Sequence, residues 1–81
     1  MTELTVQQKE KIKEIISDLS GHSVETINDE IELKDGLGLD SLDVVEMVMK
    51  LETEFDCNIP DDDYEDVKTV GEVFKIVSNR I

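Results

Sequence analysis

Apolar side chains along this chain recur with helical spacing in three separate stretches. Ile12, Ile15, Ile16 and Leu19 stand at i, i+3, i+4 and i+7, the pattern of a helix with one buried stripe. Thr5-x-x-Gln8 has capping-box form and sets the start near Thr5, with Thr2 heading a longer alternative, and Gly21 supplies the stop. The second stretch, Leu42 to Phe55, carries two apolar faces. At about 100° per residue, Val44, Met47, Val48, Leu51 and Phe55 gather on one broad side. Leu42, Val45 and Met49 fall together on another, flanked by Glu46, Glu52, Thr53 and Asp56. The first set suffices for a core, and the acidic rim makes the second set costly to bury, so the second set is expected to be an exposed docking patch. Thr69-x-x-Glu72 is another capping box, followed by the stripe Val70, Val73, Phe74, Val77 and Ile81.

The remaining segments connect these three. Residues 21 to 40 show no sustained period, and Val24, Ile27, Ile31, Leu33, Leu37 and Leu39 read as pins holding a long connection to the core. A connection of that length in a small domain is often functional. Pro60 opens an acidic run from Asp61 to Asp66 whose carboxylates suit the positive end of a short helix. No stretch alternates with period two and none repeats. The expected fold is all-α: a four-helix bundle with three long helices, one short helix at about 61–66 and a long first loop, all in a single domain over residues 1–81.

Composition narrows the function. A chain of 81 residues buries only about 60% of its unfolded surface, which leaves little room for a water-excluding active site and argues against a stand-alone enzyme. Its formal net charge is −13, so nucleic acid and membrane insertion are not expected and basic protein surfaces are the natural partners. The charge is concentrated: residues 40–66 hold eleven acids and one base, against a net −5 before them and +2 after. The single cysteine, Cys57, excludes an internal disulfide, and no run has the length of a signal h-region or a membrane span. A reducing compartment is expected, either the cytoplasm or an organelle interior reached after removal of a targeting segment.

The sharpest chemical candidate is Ser41, between acids in Leu39-Asp40-Ser41-Leu42-Asp43, behind a turn with Gly36 and Gly38 and ahead of the two-faced helix. One reading makes Ser41 part of a helix cap, with Asp40 or its own hydroxyl accepting an amide hydrogen bond. Another makes it an exposed hydroxyl that is covalently modified. A hydrolase is excluded in practice, since the only histidine is His22 and the motif is not G-x-S-x-G. His22 reads as an exposed loop residue. Cys57 has no second cysteine and no basic neighbour in sequence, so an inert thiol is expected. Asp61, Asp63, Glu65 and Glu72 have EF-hand spacing, but Asp66 replaces the required glycine, which leaves weak surface binding of divalent ions and no metal site. Gly36-x-Gly38 lacks the preceding strand and third glycine of a phosphate loop.

The run Gly38-Leu39-Asp40-Ser41-Leu42-Asp43-x-Val45-Glu46-Met47-Val48-Met49-x-Leu51-Glu52-x-Glu54-Phe55, followed by Ile59-Pro60-Asp61 and later by Thr69-Val70-Gly71, closely resembles the acyl carrier proteins of dissociated fatty-acid synthesis. The resemblance spans the chain and is most specific around Asp40-Ser41-Leu42. It implies a four-helix bundle, without catalytic activity, whose motif serine carries 4′-phosphopantetheine. The arm comes from coenzyme A through a Mg²⁺-dependent phosphopantetheinyl transferase. Carried over to this sequence, the attachment residue is Ser41. The resemblance further implies a monomer that carries acyl chains as thioesters, with an acyl pocket lined by the inner face of the 42–55 helix and the short helix. Leu42, Asp43, Val45, Glu46, Met49, Glu52 and Asp56 would form the face recognised by fatty-acid synthesis enzymes with basic docking surfaces. Two positions depart from the family pattern: Gly36 stands where an acid usually precedes Leu-Gly, and Thr53 replaces a common glutamate. Two other functions fit the same features. One is a carrier for another pathway, such as polyketide, lipid A, lipopeptide or specialised acyl transfer; the other is an unmodified acidic interaction module.

Overall fold

The computed structural model describes residues 4–81. Four α-helices follow one another: α1 (Val6–Ser20), α2 (Ser41–Phe55), α3 (Asp61–Tyr64) and α4 (Val70–Arg80), with a 3-10 turn at Val24–Thr26 in the first connection. The fold is all-helical, as the periodicity predicts.

Local chemistry accounts for each boundary. At α1 the Thr5 hydroxyl accepts the Gln8 amide at 3.1 Å while the Thr5 amide donates to Gln8 Oε1 at 2.8 Å, a reciprocal cap that satisfies two otherwise orphaned donors. The alternative cap at Thr2 lies outside the described residues. Gly21 ends α1 at φ +77°, in the left-handed region that a side chain disfavours. Thr69 and Glu72 cap α4 in the same reciprocal way, with Glu72 Oε1 also accepting the Lys68 amide at 2.9 Å. The short helix ends two residues earlier than the acidic run suggests. Asp61–Tyr64 is helical, and Asp66 falls in the turn closed by the Val67 amide on the Tyr64 carbonyl.

The core forms where the stripes meet. Ile12 and Ile16 of α1, Val44, Met47, Val48 and Leu51 of α2, and Val70, Val73, Phe74 and Val77 of α4 are buried together. Ile27, Leu33, Leu37, Leu39 and Ile59 join them from the connections, whereas Val24 and Ile31 are only half-buried. Full burial of a Leu or Ile side chain is worth about 1.5–3 kcal/mol, so these pins hold the long connection without regular secondary structure. A backbone clasp adds to them. The Leu33 amide donates to the Lys68 carbonyl at 2.8 Å, the Val70 amide to Ile31 at 3.2 Å and the Gly71 amide to Asp29 at 2.9 Å. Residues 29–33 are thereby fastened to the start of α4, with Glu32 and Thr69 paired as an isolated antiparallel bridge.

The third helix is attached more lightly. None of its four residues is buried. Tyr64 packs half-buried against the core, and an ion pair in which Arg80 Nε donates to Asp63 Oδ2 at 2.6 Å ties the helix to α4.

Candidate functional site

Ser41 opens α2 but does not cap it. The cap is Asp40, whose carboxylate accepts the Asp43 amide at 2.9 Å while Asp43 Oδ2 accepts the Asp40 amide at 3.1 Å. That box settles the two cap readings in favour of Asp40. Ser41, as the first helical residue, keeps an exposed hydroxyl that makes no hydrogen bond to the described residues. The approach to it is fixed from behind: Leu37 and Leu39 are buried, the Leu39 amide donates to the Leu33 carbonyl at 2.9 Å, and Gly38 turns the chain at φ +73°. An uncommitted oxygen is thus held outside the core at a helix N-terminus, where oriented amides favour an anion. The residues therefore fit a covalently attached phosphate ester.

The outer face of α2 is exposed, as the two-faced pattern predicts. Leu42, Val45 and Met49 are 78%, 40% and 60% exposed, while Val44, Met47, Val48 and Leu51 of the same helix are buried. The exposed trio floors an open depression of about 560 Å³ that Asp43, Glu46, Lys50 and Thr53 complete. Five of the seven expected docking residues thus share one surface feature. Glu52 and Asp56 do not line it. Glu52 turns toward the following loop, where its Oε2 accepts the Ile59 amide at 2.8 Å. Asp56 ends the helix in the left-handed conformation at φ 50°. Sequence reasoning passed over Lys50, which lines the depression; its signal was available, since it is the only base between Asp40 and Asp66.

Other candidates resolve into structural roles. Burial and the nearby carboxylates of Glu52 and Asp56 push the Cys57 thiol above its ordinary range, so it is protonated and poorly nucleophilic at neutral pH. His22 is exposed, and its carbonyl accepts the Ser17 hydroxyl at 2.6 Å. The EF-hand spacing is dispersed in space among other partners: Asp61 accepts the Tyr64 hydroxyl, Asp63 pairs with Arg80 and Glu72 caps α4. Among the described residues no group of three or more His, Cys, Asp or Glu is arranged to hold a metal ion. The inner face of α2, expected to line an acyl pocket, is packed against the core in this structure.

Comparison with known proteins gives a coherent result. Residues 10–77 match the model of the phosphopantetheine attachment site family. A proposed acyl carrier protein from Mycobacterium tuberculosis superposes with a TM-score of 0.81 at 34% identity, over 88% of this chain and 95% of that one. An acyl carrier protein from Enterococcus faecalis, described for its high thermal stability, gives 0.76 at 33% identity, over 90% and 92% of the two chains.

Proposed function

We propose that this chain, which belongs to the acyl carrier protein family, is loaded at Ser41 and delivers acyl groups to the enzymes of fatty-acid synthesis. The family is non-catalytic and its cofactor is 4′-phosphopantetheine. The observation that carries the choice of attachment residue is the division of labour at the start of α2. Asp40 does the capping, and Ser41 is left with an exposed, uncommitted hydroxyl. A phosphopantetheinyl transferase would transfer the phosphopantetheine of coenzyme A onto Ser41 Oγ. The arm supplies a terminal thiol for thioester formation, which the raised and partly buried Cys57 is poorly placed to do. The buried Leu37 and Leu39 anchor the root of the arm, and the exposed trio of α2 presents contact area beside it. Charged groups at the rim of such a face govern encounter rate and discrimination more than raw affinity. A net charge of −13 disfavours self-association and supports action as a monomer.

Intact-mass spectrometry tests the attachment. Incubated with coenzyme A, Mg²⁺ and a broad-specificity phosphopantetheinyl transferase, the chain should gain one phosphopantetheine mass, and Ser41→Ala should gain none. An adduct that persists on Ser41→Ala, or no adduct with any such transferase, refutes the assignment. The pathway is read separately, from the acyl species carried by protein isolated from its native cell. A ladder of saturated and 3-hydroxy fatty acyl chains is expected; polyketide or lipopeptide intermediates in their place would reassign the pathway and leave Ser41 standing.

A further inference from the structure

The polar wall of the α2 depression is not uniformly acidic. Asp43, Glu46 and Lys50 lie at i, i+3 and i+7, which places them in one row along the helix. At 1.5 Å per residue the row spans about 10 Å, and read from the Ser41 end its charges run negative, negative, positive. All three side chains line the same depression as Leu42, Val45 and Met49. Lys50 is exposed, and among the described residues no carboxylate lies within ion-pairing distance of it. The remaining polar residue of the wall, Thr53, spends its hydroxyl on the Met49 carbonyl at 3.1 Å. Within the depression the far pole is therefore Lys50; Glu54, one turn further along the row, lines instead the separate cleft between α2 and α1. Glu52 and Asp56, which would restore an acidic pole, do not line the depression, and Glu52 is tied to Ile59.

We propose that this row is a directional key, and that the enzymes docking on α2 carry a carboxylate opposite Lys50, about 10 Å beyond the basic groups that meet Asp43 and Glu46. The inference rests on α2 being the docking face of a carrier loaded at Ser41. Its physical basis is charge complementarity. An unbroken acidic row attracts a basic surface equally well with the helix pointing either way, whereas a row with opposite poles penalises the reversed orientation by like-charge contact at both ends. Orientation matters for a carrier because the attachment residue lies at one end of the face. A docking enzyme must receive α2 with Ser41 toward its own active-site mouth. Lys50 thereby selects partners whose surface is basic at the Ser41 end and acidic at the other, and rejects surfaces that are basic throughout.

The overall negative field makes the opposite prediction, which gives the test its sign. If partners are simply basic, Lys50→Glu extends the acidic row and strengthens docking. If Lys50 meets a carboxylate, the same change weakens it. The probe is the phosphopantetheinyl transferase of the source cell that loads the chain, with loading rates measured at low and physiological salt. Lys50→Glu is expected to lower kcat/KM three- to tenfold through KM, Lys50→Gln by less, and both deficits should shrink as salt rises. All side chains concerned are exposed or half-buried, and unchanged thermal melts confirm that the variants fold. Zero-length carbodiimide coupling of the same pair, read by peptide mass spectrometry, should join Lys50 to an Asp or Glu of the transferase and Glu46 to one of its lysines. A Lys50→Glu variant that loads as fast as the parent or faster, or coupling through Glu46 with none through Lys50, overturns the key while leaving the docking face intact. Coupling at neither residue, together with a Glu46→Lys variant that loads normally, removes the docking face and the key with it.

Discussion

Gly36 and Gly38 sit two residues apart before α2 and are needed for different reasons. A Cβ on Gly36 would stand 2.6 Å from Ile31 Cγ1 and 2.7 Å from the Glu32 carbonyl oxygen, so the turn has no room for a side chain. Gly38 has open space around it but a φ of +73°, which costs an L-residue roughly 1–2 kcal/mol. Gly36→Ala is therefore expected to destabilise by about 1–3 kcal/mol, as overpacking does, and Gly38→Ala by about 1 kcal/mol. Urea titrations of the two variants check both figures, and a neutral Gly36→Ala would mean that Ile31 and the turn yield without cost. The same closeness explains a departure visible in the sequence. The resemblance noted in the sequence leads one to expect an acid at position 36, and here its Cβ would meet Ile31 and the Glu32 carbonyl.

Among the elements, α4 shows how a single carboxylate ties structure to pH. Glu72 accepts the amides of Lys68 and Thr69, and these hydrogen bonds hold its carboxyl below the usual carboxylate range. The folded state therefore binds the Glu72 proton less readily than the unfolded chain does. Its contribution is complete above the ordinary glutamate range and fades as pH falls through the lower folded value. Glu72→Ala should cost about 1 kcal/mol at neutral pH, and the gap between parent and variant should close as the buffer is acidified below that range. A gap that stays constant down to strongly acidic pH would show that packing, and not the ionised cap, is responsible. The elements also show what sequence could reveal. The caps at Thr5 and Thr69 and the stripes of all three long helices were legible, because helical periodicity and capping chemistry are local. The second face of α2 was legible for the same reason, whereas Ser41 was told apart from a cap residue only by the resemblance of its motif. The 3-10 turn and the clasp between residues 29–33 and the start of α4 were not, since they depend on backbone amides meeting carbonyls distant in sequence. The bond of Glu52 to the Ile59 amide was not legible either, because a helical wheel does not show an amide beyond the end of the helix.

At the scale of the whole molecule, the charge distribution sets a condition on stability. Eleven acids and one base crowd residues 40–66, and among the described residues the ion pairs that relieve carboxylates are Lys11 with Glu14 and Arg80 with Asp63. Self-repulsion on that scale weakens as the Debye length shrinks from about 30 Å at 0.01 M to about 8 Å at 0.15 M salt. The thermal midpoint should rise by several degrees over that interval, since about 1 kcal/mol corresponds to about 4–8 °C for a domain of this size. Millimolar Mg²⁺ should act through the same screening, since no cluster among the described residues is arranged to hold it. A midpoint indifferent to both would mean that the acids are too well solvated to oppose folding.

The clasp between the first connection and the start of α4 divides the molecule by timescale. Its amides at Leu33, Val70 and Gly71 are hydrogen-bonded between segments far apart in sequence, so solvent deuterium should reach them only through openings that approach global unfolding. The amides of α3, with no buried residue beneath them, should exchange through small local openings. The clasp stands between that light segment and the loop leading to Ser41. Lys68, just past α3, is bonded to Leu33, and Leu33 in turn to Leu39 two residues before Ser41, so the clasp holds the approach to Ser41 stiff while α3 remains the one loose leaf of the frame.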